Sequence, residues 1–256
     1  MLELFLVGIG TGNLDHLTRE AENAIRQADL VLLPHKEANK AELAQVRLSM
    51  LQQLGVGDER IAHFDMPQRR QQGDDYGQQV EEWHDAIARR WQDKLDAHLP
   101  AGTGRVALLV WGDPALYDST LRIASRLGLA PAQVHVVPGI TSMQVLCSAH
   151  GIALNAIGAP FLVTTGRQLR EQGWPGGVDT LVVMLDGQRS YEQVDAPEAE
   201  IYWGAYLGMP QQLLLHGSLP QMAAQISARR AQAREEHGWI MDIYLLRRPA
   251  ARAISY

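Results

Sequence analysis

The stretch that decides the fold is FLVGIGTGNLDHLT, residues 5–18, where an apolar run breaks into three glycines and then offers a helix start. A continuous apolar run of this kind is typical of a strand covered on both faces. Thr18 suits the N-cap of the helix that follows, and Glu20 places a carboxylate in its first turn. The stretch therefore predicts a strand, a tight turn and a helix, with the turn at the strand end where open parallel sheets bind ligands.

The same alternation continues to about residue 140. Further buried strands are predicted from DLVLLP (29–34), RVALLVWGDP (105–114) and VHVVPG (134–139). Helical spacing of apolar residues predicts a long helix from Tyr76 to His98, and STLRIASRLGL (119–129) predicts a short one ending near Gly128. Strands alternating with helices in this way indicate a parallel, doubly wound sheet with helices on both faces.

After Thr141 the pattern changes. A helix in TSMQVLCSAHG comes first. Four strand candidates with short connections follow it: FLVTT, TLVVMLD, EIYWGAY and QQLLLHG. A long polar helix at 220–238 and a last strand in WIMDIYLLRRP end the pattern. Short connections favour a mixed sheet. We therefore predict two α/β domains, residues 1–140 and 141–256, with a ligand cleft between them. Residues 67–77, PQRRQQGDDYG, are polar and rich in turn formers, which predicts a mobile loop.

Composition excludes several classes of protein. The chain has 256 residues, a formal net charge of −6, and a single cysteine, Cys147, which we expect to pack in a buried helix. One cysteine rules out a disulfide framework within the chain, and the acidic balance disfavours a general nucleic-acid binder. No segment approaches the roughly 20 apolar residues of a membrane span, and the N-terminus lacks the charged region of a secretory signal. We therefore expect no membrane association and a cytoplasmic location.

The first turn does not match a dinucleotide-binding fingerprint. That pattern needs G-x-G-x-x-G, whereas the glycines here are Gly8, Gly10 and Gly12, so the third comes one residue early. The second strand also ends in Pro34 rather than in an acidic residue that would hold a ribose. A nicotinamide-dependent oxidoreductase, or a nucleotide-sensing module, is thus an alternative that the sequence disfavours.

Two further turns have the same small-residue character. The stretch VWGDPALYDS (110–119) is predicted to turn sharply after a strand, because Pro114 fixes its own φ and restricts Asp113. For the Asp113 side chain, a cap on the following helix is the preferred interpretation, ahead of contact with a ligand. VVPGITSMQ (136–144) again places Gly, Thr and Ser at a strand end. If the three strands are neighbours in one sheet, their turns line one crevice.

These stretches, in this order and spacing, resemble the tetrapyrrole methylase family. VGIGTGNLDHLT, ADLVLLP, WGDPALYDS and VVPGITS carry the resemblance, which continues through TLVVMLDG to the last strand. The family's opening is usually G-x-G-P-G, and Thr11 stands here in place of the proline. Within the family, LVWGDPALYDST, TTGRQL and HGWIMDIYLLRRP are similar to the branch that methylates C1 of a precorrin with loss of an acetyl group.

The resemblance implies S-adenosylmethionine as methyl donor, S-adenosylhomocysteine as product, and a homodimer. The family's cofactor contacts fall, position by position, on Gly10, Thr11, Trp111, Gly112, Asp113, Leu116, Thr141, Ser142 and Leu185. Leu185 occupies a position where methionine is more usual. Some relatives carry a catalytic Asp just after the second strand, but Pro34 and His35 stand there in this chain, so no such base is transferred.

The implied acceptor, a precorrin, is a macrocycle fringed with carboxylates, so a net acidic protein has to meet it with local cations. We expect these among Lys36, Arg69 and Arg167, with Lys40, Arg70 and Arg170 as further candidates, and we assign Arg229, Arg230 and Arg234 to solvated surface. A general base for loss of the acetyl group is not singled out among His35, Glu37, His63 and Asp118. No metal is expected, because no ligand spacing suits one.

Two alternatives stay open within the family. The same frame also serves methylation at another precorrin position or of an RNA ribose. The acidic net charge and the lack of a basic stripe disfavour RNA.

Overall fold

The computed structural model describes residues 1–35, 41–68 and 76–249, without the side chains of residues 41, 42 and 76. The chain divides into two compact units, Met1–Thr141 and Ser142–Tyr256, and each unit contains its own five-stranded sheet. Two α/β units, one with a parallel sheet and one with a mixed sheet, confirm the predicted fold class.

The first unit is a parallel, doubly wound sheet. Its strands are β1 (Leu2–Gly8), β2 (Leu30–Pro34), β3 (Ile61–Phe64), β4 (Gly104–Val110) and β5 (Val134–Val137). They lie in the order β3-β2-β4-β1-β5, and every neighbouring pair is parallel. The helices of this unit are α1 (Arg19–Gln27), α2 (Ala41–Gln53), α3 (Tyr76–His98) and α4 (Thr120–Ala124).

Helices cover both faces of this sheet, which is why β1 is apolar along its whole length. Leu6 is fully buried in a cluster that includes Trp91 of α3, whereas Val7 points to the opposite cluster with Ile25 of α1. The start of α1 is as predicted, because the Thr18 side chain accepts a hydrogen bond from the Ala21 amide at 3.0 Å. Neither α2 nor β3 was predicted, and α4 is shorter than its sequence pattern indicated.

The second unit contains the mixed sheet. Its strands are β6 (Phe161–Thr165), β7 (Thr180–Met184), β8 (Glu200–Ala205), β9 (Leu213–Ser218) and β10 (Asp242–Arg247), in the order β6-β7-β10-β8-β9. Among the described strand pairs of this second sheet, only β6–β7 is parallel. The helices are α5 (Ser142–His150), α6 (Gly166–Gln172) and α7 (Leu219–His237). Cys147 is buried in α5, as expected, with a free thiol.

Two predictions from the sequence, the mobile loop and the absence of a membrane span, are compared with the described residues alone. Most of the predicted mobile loop, residues 69–75, lies outside it. Across the ranges 1–35, 41–68 and 76–249, no helix combines the length and apolar character needed to cross a membrane.

Candidate functional site

Three turns meet at the carboxyl edge of the first sheet. Strands β4, β1 and β5 are consecutive neighbours, so the turns that follow them are adjacent, which is the condition under which the sequence predicts one shared crevice. The turns after β1 and β4 are joined by a short antiparallel bridge. The Gly112 amide donates to the Gly10 carbonyl at 2.7 Å, and the Gly10 amide donates back to the Gly112 carbonyl at 3.3 Å.

Asp113 links the second turn to the third. Its Oδ2 accepts a hydrogen bond from the Gly139 amide at 2.9 Å, and its Oδ1 accepts from the Ala115 amide at 2.8 Å. The preferred interpretation of Asp113 as a helix cap is therefore wrong, because α4 begins only after Ser119. The carboxylate instead fixes the β4 turn against the β5 turn, 26 residues further along the chain.

The glycines of these turns have different functions. A Cβ on Gly139 would overlap the Gly112 carbonyl oxygen and lie 2.9 Å from the Gly8 Cα, so backbone fills the space around it. A Cβ on Gly112 would meet no atom within 4 Å, although its φ of +65° favours glycine. Gly139 thus allows the turns to pack, whereas Gly112 faces open space in the described structure and leaves room for a ligand to approach the backbone.

The other residues predicted from the resemblance lie around these turns, with their side chains in different situations. Thr11 is buried, and its Oγ1 lies 3.0 Å from His16 Nδ1. Leu116 is half-buried, and its amide donates to the Asp113 carbonyl at 3.1 Å. Thr141 is buried at the end of the first unit, and Ser142 is the first residue of α5 in the second unit.

Leu185 follows β7 in a strained and exposed position. Its φ is +54°, in the left-handed region that a leucine rarely adopts, and 67% of its surface is exposed. Arg189, four residues later, also has a positive φ, of +57°. Strain of this kind persists only where the surroundings enforce it, and it is concentrated at functional sites.

A buried carboxylate, Asp186, holds this turn. Its Oδ2 accepts from the Ser190 amide at 2.6 Å and from the Tyr244 hydroxyl at 2.7 Å, and its Oδ1 accepts from the Ser190 hydroxyl at 2.7 Å. Burial, and then the charge of Asp186, raise the pKa of Tyr244 far above its ordinary value, so this hydroxyl remains a donor. No Cβ would fit on Gly166 beside the Asp186 side chain. Nothing in the local sequence pattern pointed to Asp186.

Only some of the cationic residues predicted to bind the substrate are among the described residues. Lys36 and Arg69, with Lys40 and Arg70, lie outside the described residues. Arg167 is exposed in the first turn of α6, directly after β6. Because β6 and β7 are parallel, Arg167 and Leu185 follow strand ends at the same edge of the second sheet. Arg170, by contrast, donates to Ser190 Oγ at 2.6 Å and lies 3.4 Å from Asp186 Oδ1. Its guanidinium is therefore already engaged by residues of the turn after β7.

The assignment of Arg230 to solvated surface is wrong. Its side chain is buried, and its Nε donates to Asp242 Oδ2 at 2.8 Å. Burial is the strongest single influence on this guanidinium and acts to lower its pKa, but the hydrogen bond to Asp242 and the charges of Asp242, Tyr191 and Asp186 together outweigh burial and raise the pKa. The residues on either side of it in the helical repeat, Arg229 and Arg234, are exposed as predicted. A charge in a polar helix is solvated only on the face away from the sheet.

Among the candidate bases, His35 and His63 lie together at the ends of β2 and β3. Their rings stack with centroids 4.9 Å apart. Burial, and then the neighbouring His35, lower the pKa of His63. Asp118 accepts from the Thr120 amide at 2.6 Å, and Glu37 lies outside the described residues. Within the described ranges, no three His, Cys, Asp or Glu side chains are grouped to hold a metal ion.

Comparison with known proteins points in one direction. The sequence model of the family described as Tetrapyrrole (Corrin/Porphyrin) Methylases matches residues 3–223. A curated relative from Sinorhizobium sp., named precorrin-6A synthase [deacetylating], is 45% identical over 255 residues, covering 98% of this chain and 97% of the relative.

Solved structures share the same fold. A putative cobalamin synthesis related protein (CobF) from Corynebacterium diphtheriae has a TM-score of 0.81 and 36% identity, with 96% of this chain and 98% of that chain covered. A uroporphyrin-III C-methyltransferase from Thermus thermophilus, crystallised with S-adenyl homocysteine, has a TM-score of 0.56 and 21% identity, with 95% and 96% covered. At that identity the second likeness shows the fold alone.

Proposed function

This chain belongs to the tetrapyrrole (corrin/porphyrin) methylase family, and we propose that it methylates C1 of a precorrin with S-adenosylmethionine as donor. The reaction converts precorrin-5 to precorrin-6A and releases acetate, as part of cobalamin formation. The support is the 45% identity to a precorrin-6A synthase [deacetylating] across nearly the whole chain, together with the likeness to the Corynebacterium protein. The observation that carries the proposal is the set of three joined turns at the edge of the first sheet.

The turns suit the proposed donor. S-adenosylmethionine supplies an electrophilic methyl group on a sulfonium, so the protein needs no nucleophile of its own. Gly112 faces open space, which allows close approach of a ligand to the backbone, and Asp113 keeps that turn in place through its bond to the Gly139 amide. Holding donor and acceptor in line supplies on the order of 7–11 kcal/mol of the barrier. The donor contacts in the first unit are Gly10, Thr11, Trp111, Gly112, Asp113 and Leu116.

We also assign Leu185 to the donor site, with Thr141 and Ser142. An apolar side chain that is 67% exposed and strained at φ +54° has a function that the packing of its own unit does not explain. Contact with a bound donor would cover this side chain. The homodimer implied by the resemblance and the cytoplasmic location expected from the composition belong to the same proposal. Light scattering at micromolar concentration tests the dimer, which a monomer mass would contradict.

The proposed function is tested with purified protein, an isolated precorrin-5 preparation and donor labelled in its methyl group. We expect mass spectrometry to detect one labelled methyl on the macrocycle and one equivalent of acetate. A methyl gain without acetate would assign the chain to another position on the precorrin. Titration of the same protein with S-adenosylhomocysteine and NAD distinguishes a methylase from an oxidoreductase, since only the first ligand should bind.

Arg167→Ala should weaken precorrin binding by roughly 10- to 100-fold. Charge-assisted hydrogen bonds are each worth about 1.5–3 kcal/mol, and 1.4 kcal/mol is tenfold in a dissociation constant. Arg167 is exposed at the same sheet edge as Leu185, where an anionic ring beside the donor would lie. Donor binding should change little. Isothermal titration with both ligands measures the two effects separately.

Arg234→Ala is the matched control for Arg167→Ala, because Arg234 is also exposed but lies late in α7. Arg230 is unsuitable as a control, since it is buried against Asp242. Equal, small effects of the two substitutions on precorrin binding would make Arg167 ordinary surface. The cations would then have to be sought at Lys36 and Lys40.

A further inference from the structure

An arginine to which no sequence motif points lies against the turn after β4. Arg47 is on α2, and its guanidinium carbon lies 5.0 Å from the centre of the Trp111 ring. Stacking of this kind holds the planar guanidinium over the indole and leaves its edge available for hydrogen bonds. Trp111 directly precedes Gly112, so Arg47 brings a positive charge to the turn that faces open space.

One nitrogen of each of these two side chains is buried without a hydrogen bond to the described residues. Arg47 Nε and Trp111 Nε1 are both buried, and neither has a hydrogen-bond partner among the described residues. Leaving a buried donor unsatisfied costs about 1–3 kcal/mol. Both atoms are donors and cannot accept, so only a hydrogen-bond acceptor can satisfy them. The pair therefore selects for a ligand atom that accepts hydrogen bonds, and an anionic oxygen suits the positive charge best.

Other partly buried arginines show what a structural guanidinium looks like in this protein. Arg230 is paired with Asp242 at 2.8 Å, and Arg60 donates from Nε to the Ala28 carbonyl at 2.9 Å. Arg170 donates to Ser190 Oγ. Arg47 differs from all three, because its buried Nε has no hydrogen-bond partner among the described residues. Arg247 and Arg248 also have a buried Nε without a hydrogen bond, but Arg247 donates from another nitrogen to the Ala153 carbonyl at 2.6 Å, and Arg248 lies 2.9 Å from Glu198. A role in holding the fold does not account for Arg47.

The charge of Arg47 persists at neutral pH. Burial lowers the pKa of its guanidinium to about 10, and the charge of Asp118 acts in the opposite direction. Asp118 is itself engaged in the start of α4, where its Oδ1 accepts from the Thr120 amide. The negative charge of Asp118 therefore balances the Arg47 cation only in part, and the guanidinium still attracts a second anion.

We propose that Arg47, stacked on Trp111, is a carboxylate-binding subsite beside the turn after β4. The planar fork of an arginine matches a carboxylate, and the indole N–H adds one further donor. This inference rests on the proposed function, which supplies two ligands with carboxylates. One is the amino-acid end of the donor, and the other is the set of acidic side chains on the precorrin. Both sources offer the same chemistry, and binding experiments distinguish them.

The test compares Arg47→Met with Arg26→Met, which removes an exposed arginine from α1 of the same unit. Each protein is titrated with S-adenosylhomocysteine, with its carboxamide analogue, and with uroporphyrin as a stable polycarboxylate macrocycle. We expect Arg47→Met to lower the affinity for one of the two carboxylate ligands about tenfold. If the donor is the source, the loss appears with S-adenosylhomocysteine but not with the carboxamide. If the macrocycle is the source, only uroporphyrin is affected.

A second measurement separates ligand binding from folding. Because Arg47 Nε has no partner in the described structure, Arg47→Met should leave the midpoint of thermal unfolding unchanged or slightly higher in the absence of ligand. Arg47→Lys, which keeps the charge without the fork, should recover part of the lost affinity. A clear fall in the unfolding midpoint, or an equal loss for S-adenosylhomocysteine and its carboxamide, would overturn the subsite. So would unchanged affinity for both carboxylate ligands. Wild-type protein that binds neither would contradict the proposed function itself.

Discussion

Replacing Gly139 with alanine should abolish S-adenosylhomocysteine binding and lower the free energy of unfolding by about 3 kcal/mol. The added Cβ would overlap the Gly112 carbonyl oxygen and press on the Gly8 Cα at 2.9 Å, and backbone atoms cannot rotate away as a side chain can. Overpacking in a well-packed region costs about 1–3 kcal/mol, and displacement of the turn would also break the hydrogen bond from the Gly139 amide to Asp113. Urea denaturation and isothermal titration measure the two effects.

Gly112→Ala provides the matched comparison. Its Cβ would meet no atom within 4 Å, so the steric cost is absent and only the strain of φ +65° remains, about 1–2 kcal/mol. We expect a cooperatively folded protein that is less stable than wild type by that amount and binds S-adenosylhomocysteine more weakly. If Gly139→Ala were as stable as Gly112→Ala, the close packing of the three turns would not be a determinant of the site.

The sequence was most informative where a local pattern sufficed. Apolar runs that end in small residues predicted β1, β4 and β5 with their turns, because buried parallel strands are apolar on both faces. The spacing of Trp83, Ile87 and Trp91 predicted α3 over its full length. The strand β3 is only four residues long and contains His63, so it lacked a recognisable pattern.

Contacts between residues distant in the chain could not be predicted in this way. Asp113 bonds to a backbone amide 26 residues later, whereas its sequence neighbourhood favoured a local cap. Arg230 lies in a helix that is polar on most sides, and its burial depends on Asp242 in a neighbouring strand. Arg47 meets Trp111 only because α2 packs on the sheet, where Met50 and Leu51 share a buried cluster with Leu109 of β4. In each case the partner is brought close by the fold rather than by the local sequence.

Replacing Asp186 with alanine should have the largest effect on stability, a loss of about 3–5 kcal/mol. The substitution removes the acceptor for the Ser190 amide and for the Tyr244 hydroxyl. The Ser190 hydroxyl loses one of its two acceptors and keeps the Gly166 carbonyl at 2.8 Å. The substitution also leaves Arg170 without the carboxylate that lies 3.4 Å from its guanidinium. Removing one partner from a buried charged network is costly because the other groups stay buried without compensation. Thermal and urea unfolding, followed by circular dichroism, measure the loss.

The same substitution should also affect the donor site, because Asp186 holds the turn that keeps Leu185 at φ +54°. Asp186→Asn keeps the size of the side chain but removes its charge and one acceptor oxygen. This variant should therefore be destabilised less than Asp186→Ala. Its affinity for S-adenosylhomocysteine should nevertheless be at least tenfold lower than that of the wild type. Asp195→Ala, at an exposed position of the same unit, is the control and should change neither quantity. Unaltered donor affinity in folded Asp186→Asn would limit Asp186 to a structural role and remove the main support for Leu185 as a donor contact.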